Sequence, residues 1–259
     1  DLDFSWTLDN LIYYDKEFGK HSVGLTLLQS ATGYHYEESS MAAEGIPLES
    51  AKWNALSKEN VSLLDEWNSG LIEKQLLSYM FRVNYDYNNK YLLTVSGRWD
   101  GASQLAEGNK WAFFPSAALG WRLDQEEFLK DVTWLNQLKF RLGVGVTGNS
   151  AIDPYQTKGA IVSLYYPFGS ALAPGYAASE PLIKDGAVAM ANKNLSWEKT
   201  TQYNIGLDYS VLNGRISGVL DFYTSRTTDL LMAMTIPSLN GYTNTYANVG
   251  KTSNIGVED

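Results

Sequence analysis

Over residues 108–123, GNKWAFFPSAALGWRL, the side chains of Trp111, Phe113, Ala117, Leu119 and Trp121 occupy alternate positions, with Ala112, Ser116, Ala118, Gly120 and Arg122 between them. A helix scatters such a set around its axis. A strand gathers it on one side, because successive side chains leave opposite faces of the pleat. The same alternation runs through 2–8 (Leu2, Phe4, Trp6, Leu8), 23–27 (Val23, Leu25, Leu27), 79–87 (Tyr79, Phe81, Val83, Tyr85, Tyr87) and 91–99 (Tyr91, Leu93, Val95, Trp99). It recurs at 138–147, 201–210 and 216–224, and a weaker strand begins near Asn248. The pattern predicts about eight or nine strands, most about 9–12 residues long. Strands of soluble proteins run about 5–6 residues; strands that cross a bilayer need about 9–11.

The connections fall into two classes that alternate along the chain. Those at 15–20, 87–90 and 211–214 are tight. Those at about 31–76, 148–199 and 226–247 are long and rich in Gly, Ser, Pro and aromatics. In an antiparallel meander this puts the short turns at one end and the long loops at the other, the asymmetry of outer-membrane barrels. Two segments predict helices. DQEEFLKDVTWLNQ (124–137) lies on the short-turn side; Asp124 can cap it, and Phe128, Leu129 and Val132 form an apolar face. LSKENVSLLDEWNSG (56–70), inside the first long loop, ends at Gly70.

An apolar face can meet lipid or the core of a β-sandwich. Three features favour lipid: long strands, connections segregated by length, and apolar faces that end in Tyr or Trp. Tyr85, Tyr87 and Tyr91 cluster at one hairpin; Trp99 and Trp111 flank the next, longer loop. The chain holds 17 Tyr and 8 Trp, residues suited to a boundary between dry and wet. The opposite faces carry Arg82, Arg98, Lys139, Arg141, Asp208, Arg215 and Asp221, which suit a hydrated lumen or a solvent-facing sandwich surface. A net charge of −9, with no basic run, argues against nucleic acid. Absence of Cys excludes a thiol nucleophile and a thiolate metal site. The chain opens inside a strand pattern without an initiating Met, so it is read as an interior piece of a longer parent.

Specific words sharpen this reading. GRWDGASQLAEGNKWAFFPSAALGWRLDQEEFL (97–129) resembles a signature of the SusC/RagA-type TonB-dependent outer-membrane transporters. LKFRLGVGVTGNSAIDPYQ (138–156), NKNLSWEKTTQYNIGLDYSVLNGRISGVLDFYTSRTTDLL (192–231) and YANVGKTSNIGVED (246–259) are similar to three further elements of that family, in order. The resemblance covers most of 79–259; the first 78 residues carry no such motif. It implies an all-β fold, an antiparallel transmembrane barrel segment of about eight or nine strands out of about 22. Residues 1–259 would be part of the barrel domain, with the plug and the closing strands outside them. A chain of this extent would leave two open sheet edges. The implied activity is TonB-dependent import of oligosaccharides across the outer membrane of a Bacteroidetes-type bacterium. A SusD-like surface lipoprotein would act as lid, and the TonB complex would pull on the plug. A siderophore or peptide receptor of the same type, a passive porin, and a soluble β-sandwich carbohydrate-binding module are the alternatives.

The residues themselves carry little chemistry. His21 and Ser22 are adjacent, so within one strand they point to opposite faces and cannot act as a pair. No enzyme is expected, and no cofactor. DGASQLAEGN (100–109) has oxygen ligands in a Gly-containing loop, which admits calcium, although a solvated loop is the commoner use of such a sequence. GVGVTGN (143–149) is read as small side chains that let neighbours approach closely. Sugar rings present apolar faces, so loop aromatics are the candidate substrate contacts: Tyr165, Tyr166, Phe168, Tyr176 and Tyr242. Trp53, Trp67 and Tyr246 are further loop aromatics. Trp197 belongs to the shared motif and is expected to be structural.

Overall fold

The computed structural model describes residues 1–44, 63–158, 160–169, 171–179, 182–183, 187–237, 239, 242 and 244–258; at 43, over 63–68, and in the strands between 160 and 189 the description is of the backbone. The described strands are, in chain order, β1 (Leu2–Phe18), β2 (His21–Glu44), β3 (Leu63–Tyr87), β4 (Tyr91–Ala102), β5 (Trp111–Arg122), β6 (Leu135–Asn149), β7 (Ala160–Phe168), β8 (Ala171–Ser179), β9 (Leu182–Ile183), β10 (Ala187–Met190), β11 (Glu198–Val211), β12 (Ile216–Thr228), β13 (Leu231–Thr235), β14 (Asn244–Asn248) and β15 (Lys251–Glu258). Nine of them form one antiparallel sheet in the order β1-β2-β3-β4-β5-β6-β11-β12-β15. The rest leave and return between sheet neighbours: β7–β10 between β6 and β11, β13 and β14 between β12 and β15. β7 pairs with β8, and β13-β14-β10-β9 form a small sheet in which β10 and β14 run parallel.

The register carries the alternation of the sequence across the whole sheet. Val83, Val95, Ala117, Val144 and Tyr203 are successive cross-strand partners. So are Leu93, Leu119, Leu142, Ile205, Phe222 and Val257. One residue along, the row is Arg82, Ser96, Ser116, Gly145 and Gln202. The sheet therefore has one apolar and one polar face. A slip of one residue would exchange them, so the pattern fixes the register. The apolar face is uncovered: Trp99 is 55% exposed and Leu119 is 54% exposed.

The tight hairpins stand at the same end, as expected, and the first is narrower than the sequence suggests. β1 runs through Phe18, leaving Gly19 and Lys20 as its turn. In the turn after β3, Asn88 and Asn89 both take positive φ (56° and 54°), which Asn tolerates better than most residues.

The predicted long loops are shorter than expected. Most of 31–76 is a hairpin, because β2 extends to Glu44 and β3 begins at Leu63, with continuous pairing from His21–Tyr87 to Glu44–Leu63 apart from one irregularity near Ala42. The arms lack an apolar period. Backbone ladders and polar contacts hold them instead: Lys74 Nζ lies 4.7 Å from the centre of the Tyr34 ring, and His35 Nδ1 is 3.0 Å from Glu73 Oε1. The helix expected over 56–70 is overturned where it can be judged: 63–70 are strand, and 56–62 lie outside the described residues.

The helix expected over 124–137 is also absent. A single 3₁₀ turn, Leu123–Gln125, leads into three further turns closed by Leu129 N–Glu126 O, Val132 N–Leu129 O and Leu135 N–Val132 O bonds of 3.0–3.2 Å, and β6 begins at Leu135. Asp124 does not cap a helix. Its carboxylate accepts from Arg122 Nη2 at 2.8 Å and from the Leu138 amide at 3.3 Å, which ties the start of the segment to both flanking strands.

Candidate functional site

Two arginines on the polar face are each held across strands. Arg98 Nε donates to both carboxylate oxygens of Asp100 (2.7 and 2.9 Å), and its Nη2 donates to Ser78 Oγ at 3.0 Å. Arg141 on β6 reaches farther. Its Nε donates to Asp208 on β11 at 2.8 Å, and its Nη2 passes β11 to reach Asp221 on β12 at 2.9 Å. Gly206 is the cross-strand partner of both Arg141 and Asp221. A Cβ at Gly206 would stand 2.6 Å from Arg141 Cζ, so the glycine leaves the guanidinium its path.

The same face has a concavity of about 530 Å³ near the short-turn end, lined by Asp15, Asn84, Thr94, Lys139, Arg141 and Asn204 among others. Nothing in the local sequence announces it, because its walls come from strands distant in the chain. Gly143 belongs to this lining. The next glycine of the same segment, Gly145, sits at the Ser116 position of the adjacent strand.

At the long-loop end the polar face is covered by a small apolar core: Ala102, Leu105, Ala112, Phe114, Ile152, Leu195 and Trp197. Trp197 is 5% exposed, packs edge-on to Phe114 with ring centres 5.3 Å apart, and donates Nε1–H to the Lys110 carbonyl at 2.8 Å. The Phe114 ring lies over Gly148, where a Cβ would overlap it. Polar clamps surround this core. Asn109 Nδ2 donates to Asn194 O (3.1 Å), Gln104 Nε2 to Ser150 O (3.1 Å), and Asn192 Nδ2 to Tyr246 O (2.9 Å). Asn248 accepts from the Ser196 amide and donates to its carbonyl, at 2.9 and 2.8 Å. Asn109, Phe114, Gly148, Leu195, Trp197 and Asn248 come from all four sequence words quoted above. Those words spell one locus, which fastens the loops after β4, β6 and β10 onto the sheet.

The predicted substrate contacts are placed as follows. Tyr165, Tyr166 and Phe168 lie on β7 and Tyr176 on β8, one hairpin in which Tyr165 is opposite Pro174 and Ser163 is opposite Tyr176; their side chains lie outside the described residues. Tyr242 is half-buried just before β14 and belongs to no strand of that hairpin. Trp53 lies outside the described residues, and the backbone of Trp67 pairs with Met41. Tyr246 packs against the loop core. Asp100, Ser103, Gln104 and Asn109 of the 100–109 loop spend their polar groups on Arg98, the Gln75 amide, Ser150 and Asn194. Among the described residues no three His, Asp or Glu side chains are grouped to hold a metal ion. His21 and Ser22 do not act together; His21 Nδ1 is 2.7 Å from Tyr85 Oη and its ring stacks on Phe18 at 5.1 Å.

The apolar face has the dimensions of a lipid-facing band. Trp111 and Trp121 lie ten residues apart on one face of β5. At about 3.3 Å per residue they are separated by roughly 33 Å along the strand. A tilt of about 40° projects this to about 25 Å, the height of the outward apolar band of outer-membrane barrels. Aromatics mark both edges. Tyr87, Tyr91 and Trp121 stack in series at the short-turn end, with centroids 6.3 and 6.5 Å apart. Tyr79 stacks on Trp111 (6.3 Å), and Trp99 packs edge-on to Phe113 (6.2 Å), at the other.

Comparison with known proteins agrees. Residues 1–258 match the family described as TonB dependent receptor-like, beta-barrel. The chain is 40% identical over 217 residues to the TonB-dependent receptor SusC of Bacteroides thetaiotaomicron, covering 80% of this chain and 20% of that protein. It is 33% identical over 253 residues to the TonB-dependent receptor P3 of Formosa agariphila, covering 96% and 24%. Among solved structures, the RagAB peptide transporter superposes with a TM-score of 0.84 at 26% identity, over 98% of this chain and 27% of that one. The ferric enterobactin receptor PfeA, at 15% identity and a TM-score of 0.60, shares the fold. The chain thus spans about a quarter of the length of its relatives. With nine strands in one meander, a lipid-facing band bounded by aromatics and a hydrated polar face opposite, it belongs to the TonB-dependent receptor β-barrel family and forms part of an outer-membrane barrel wall.

Proposed function

We propose that the full-length protein imports oligosaccharides across the outer membrane, driven by the TonB complex, with a SusD-like surface lipoprotein as its lid. In this reading the present chain supplies barrel wall and extracellular loops. The observation that carries it is the loop core at the extracellular end. Phe114, Leu195 and Trp197 hold the loops in place on the lumenal side of the wall, and the β7–β8 hairpin, which carries Tyr165, Tyr166, Phe168 and Tyr176, lies in the chain between two of the segments so held. Loop aromatics suit sugar rings, and loops whose flanking segments are already seated require less ordering when the ligand arrives. Identity to SusC (40%) exceeds identity to the RagAB structure (26%), which favours the SusC-like reading.

Peptide import is the second reading, favoured by the TM-score of 0.84 to the RagAB peptide transporter. One experiment separates the two. The full-length protein, purified in detergent with whatever lipoprotein accompanies it, is titrated calorimetrically with a panel of oligosaccharides and with mixed short peptides. Oligosaccharide binding that weakens about tenfold or more in the double variant Tyr165→Ala/Tyr166→Ala, a loss of about 1.4 kcal/mol, is the expected result. Binding of peptides alone would replace this proposal with the second reading.

A further inference from the structure

We propose that the segment 123–134 at the periplasmic end is a membrane-interface anchor, which beds Phe128 and Trp134 in the headgroup region of the inner leaflet. The argument begins with Glu126. Its carboxylate accepts from Tyr91 Oη at 2.7 Å, Trp121 Nε1 at 3.0 Å and Lys90 Nζ at 3.3 Å. Tyr91 and Trp121 are cross-strand partners on the apolar face, and they form the aromatic edge of the lipid-facing band. A carboxylate that reaches both stands outside the wall. The segment is therefore folded back along the lipid side of the barrel instead of over the lumen.

Phe128 follows two residues later and is 69% exposed. At the far end Trp134 is 57% exposed, and its carbonyl accepts from the Leu212 amide at 2.8 Å, which joins the segment to the next periplasmic hairpin. Leu212 and Ile216 of that hairpin are exposed as well. An exposed Phe and Trp continuous with an aromatic girdle match the chemistry of the bilayer interface, where an indole keeps its ring among acyl carbons and its N–H in water. Lys130 and Asp131 lie between the two aromatics, Glu127 lies just before them, and all three are exposed; Lys130 pairs with Glu127. The segment thus alternates between groups that enter the headgroups and groups that stay wet. The helix that the sequence suggests would have gathered Phe128, Leu129 and Val132 on one face. The chain of turns instead leaves Leu129 and Val132 half-buried and presents Phe128 outward.

The test uses the full-length protein, free of other cysteines, in nanodiscs of phosphatidylethanolamine and phosphatidylglycerol. Nitroxides are attached in turn through F128C, W134C and D131C, and their collision rates with oxygen and with a water-soluble nickel chelate are read by EPR. The expected result is a higher oxygen-to-nickel ratio at 128 and 134 than at 131, with the contrast at 128 reduced by adding E126A. Ratios at 128 and 134 equal to that at 131 would overturn the proposal, since the segment would then lie free in the periplasm. Protection of 128 and 134 from both reagents would overturn it too, since a protein surface would then cover them.

Discussion

The ring of Phe114 on β5 occupies the space over Gly148 on β6 that any Cβ would fill, and the Trp197 indole packs against that ring in a T-shaped pair. The resemblance rests on residues of this kind, and their work is to seat loops.

Substitution at this contact should loosen the loops while leaving the wall intact. Gly148→Ala forces the Phe114 ring aside, an overpacking that costs about 1–3 kcal/mol. Trp197→Phe keeps most of the apolar area but loses the bond to Lys110 O, worth about 1 kcal/mol. Both variants of the full-length protein should be cleaved faster within 150–196 by an external protease, with unchanged heat-resistant migration of the barrel on gels. Unchanged cleavage rates would refute the structural role given to the contact.

Arg141 joins β6 to β12 across β11. A double-mutant cycle between Arg141→Met and Asp221→Leu should return a coupling of about 1–3 kcal/mol in unfolding of the detergent-solubilised protein. Gly206→Val should reproduce most of the single-variant loss with both charges kept, because its side chain occupies the guanidinium's path. An additive cycle would show that the charges are solvated separately.

Acid should release the periplasmic segment. The hydrogen bonds from Tyr91 and Trp121, with that from Lys90, hold the Glu126 carboxyl below its ordinary value of 4.5. Burial pushes Asp124 upward, but bonds from Arg122, Gln125 and the Leu138 amide outweigh it and leave its pKa lowered. A depressed carboxylate contributes its stability above the unfolded pKa and loses it as pH falls through the folded one. Proteolysis at Lys130 should therefore be slow and flat above about pH 4.5 and accelerate below it. E126Q should remove most of that acceleration. A flat profile in the parent protein would contradict the assignment.

The extracellular arm of β2 and β3 should respond in the opposite sense. The hydrogen bond to Glu73 raises the His35 pKa above 6.5, with Glu37 adding to it against partial burial. The imidazolium is held on both sides, Nδ1 3.0 Å from Glu73 and Nε2 3.3 Å from Glu37. A raised His contributes fully below its unfolded pKa and loses its contribution as pH rises through the folded one. Amide exchange in 33–40, corrected for its intrinsic pH dependence, should accelerate as pH climbs above 6.5, less so at high salt. In H35Q it should not. Loosening on acidification instead would mean that the neutral ring is the form held.

Much of the fold was legible in the sequence. The apolar rows running through Val95 and Leu119 follow from period-two patterning, since a register slip would turn every apolar side chain of a strand to the wrong side. The tight hairpins at 87–90 and 211–214 were legible from Asn and Gly in short connections. The arms of β2 and β3 were not, because a ladder held by backbone bonds and pairs such as His35–Glu73 needs no apolar period. Nor was the lost helix at 124–137: Asp124 could cap a helix or hold Arg122, and only the nearness of Arg122 and the Leu138 amide decides. The candidate aromatics of the β7–β8 hairpin were read from residue type alone, and the register adds only that their backbones share one hairpin. The sequence by itself determined which residues share the apolar face and which the polar one, since that is a local alternation. The tertiary structure alone decided that Asn109, Phe114, Gly148, Trp197 and Asn248 meet at one point. Contacts between residues so distant in the chain depend on how far each strand runs before it turns, and that is settled only when the whole sheet has paired.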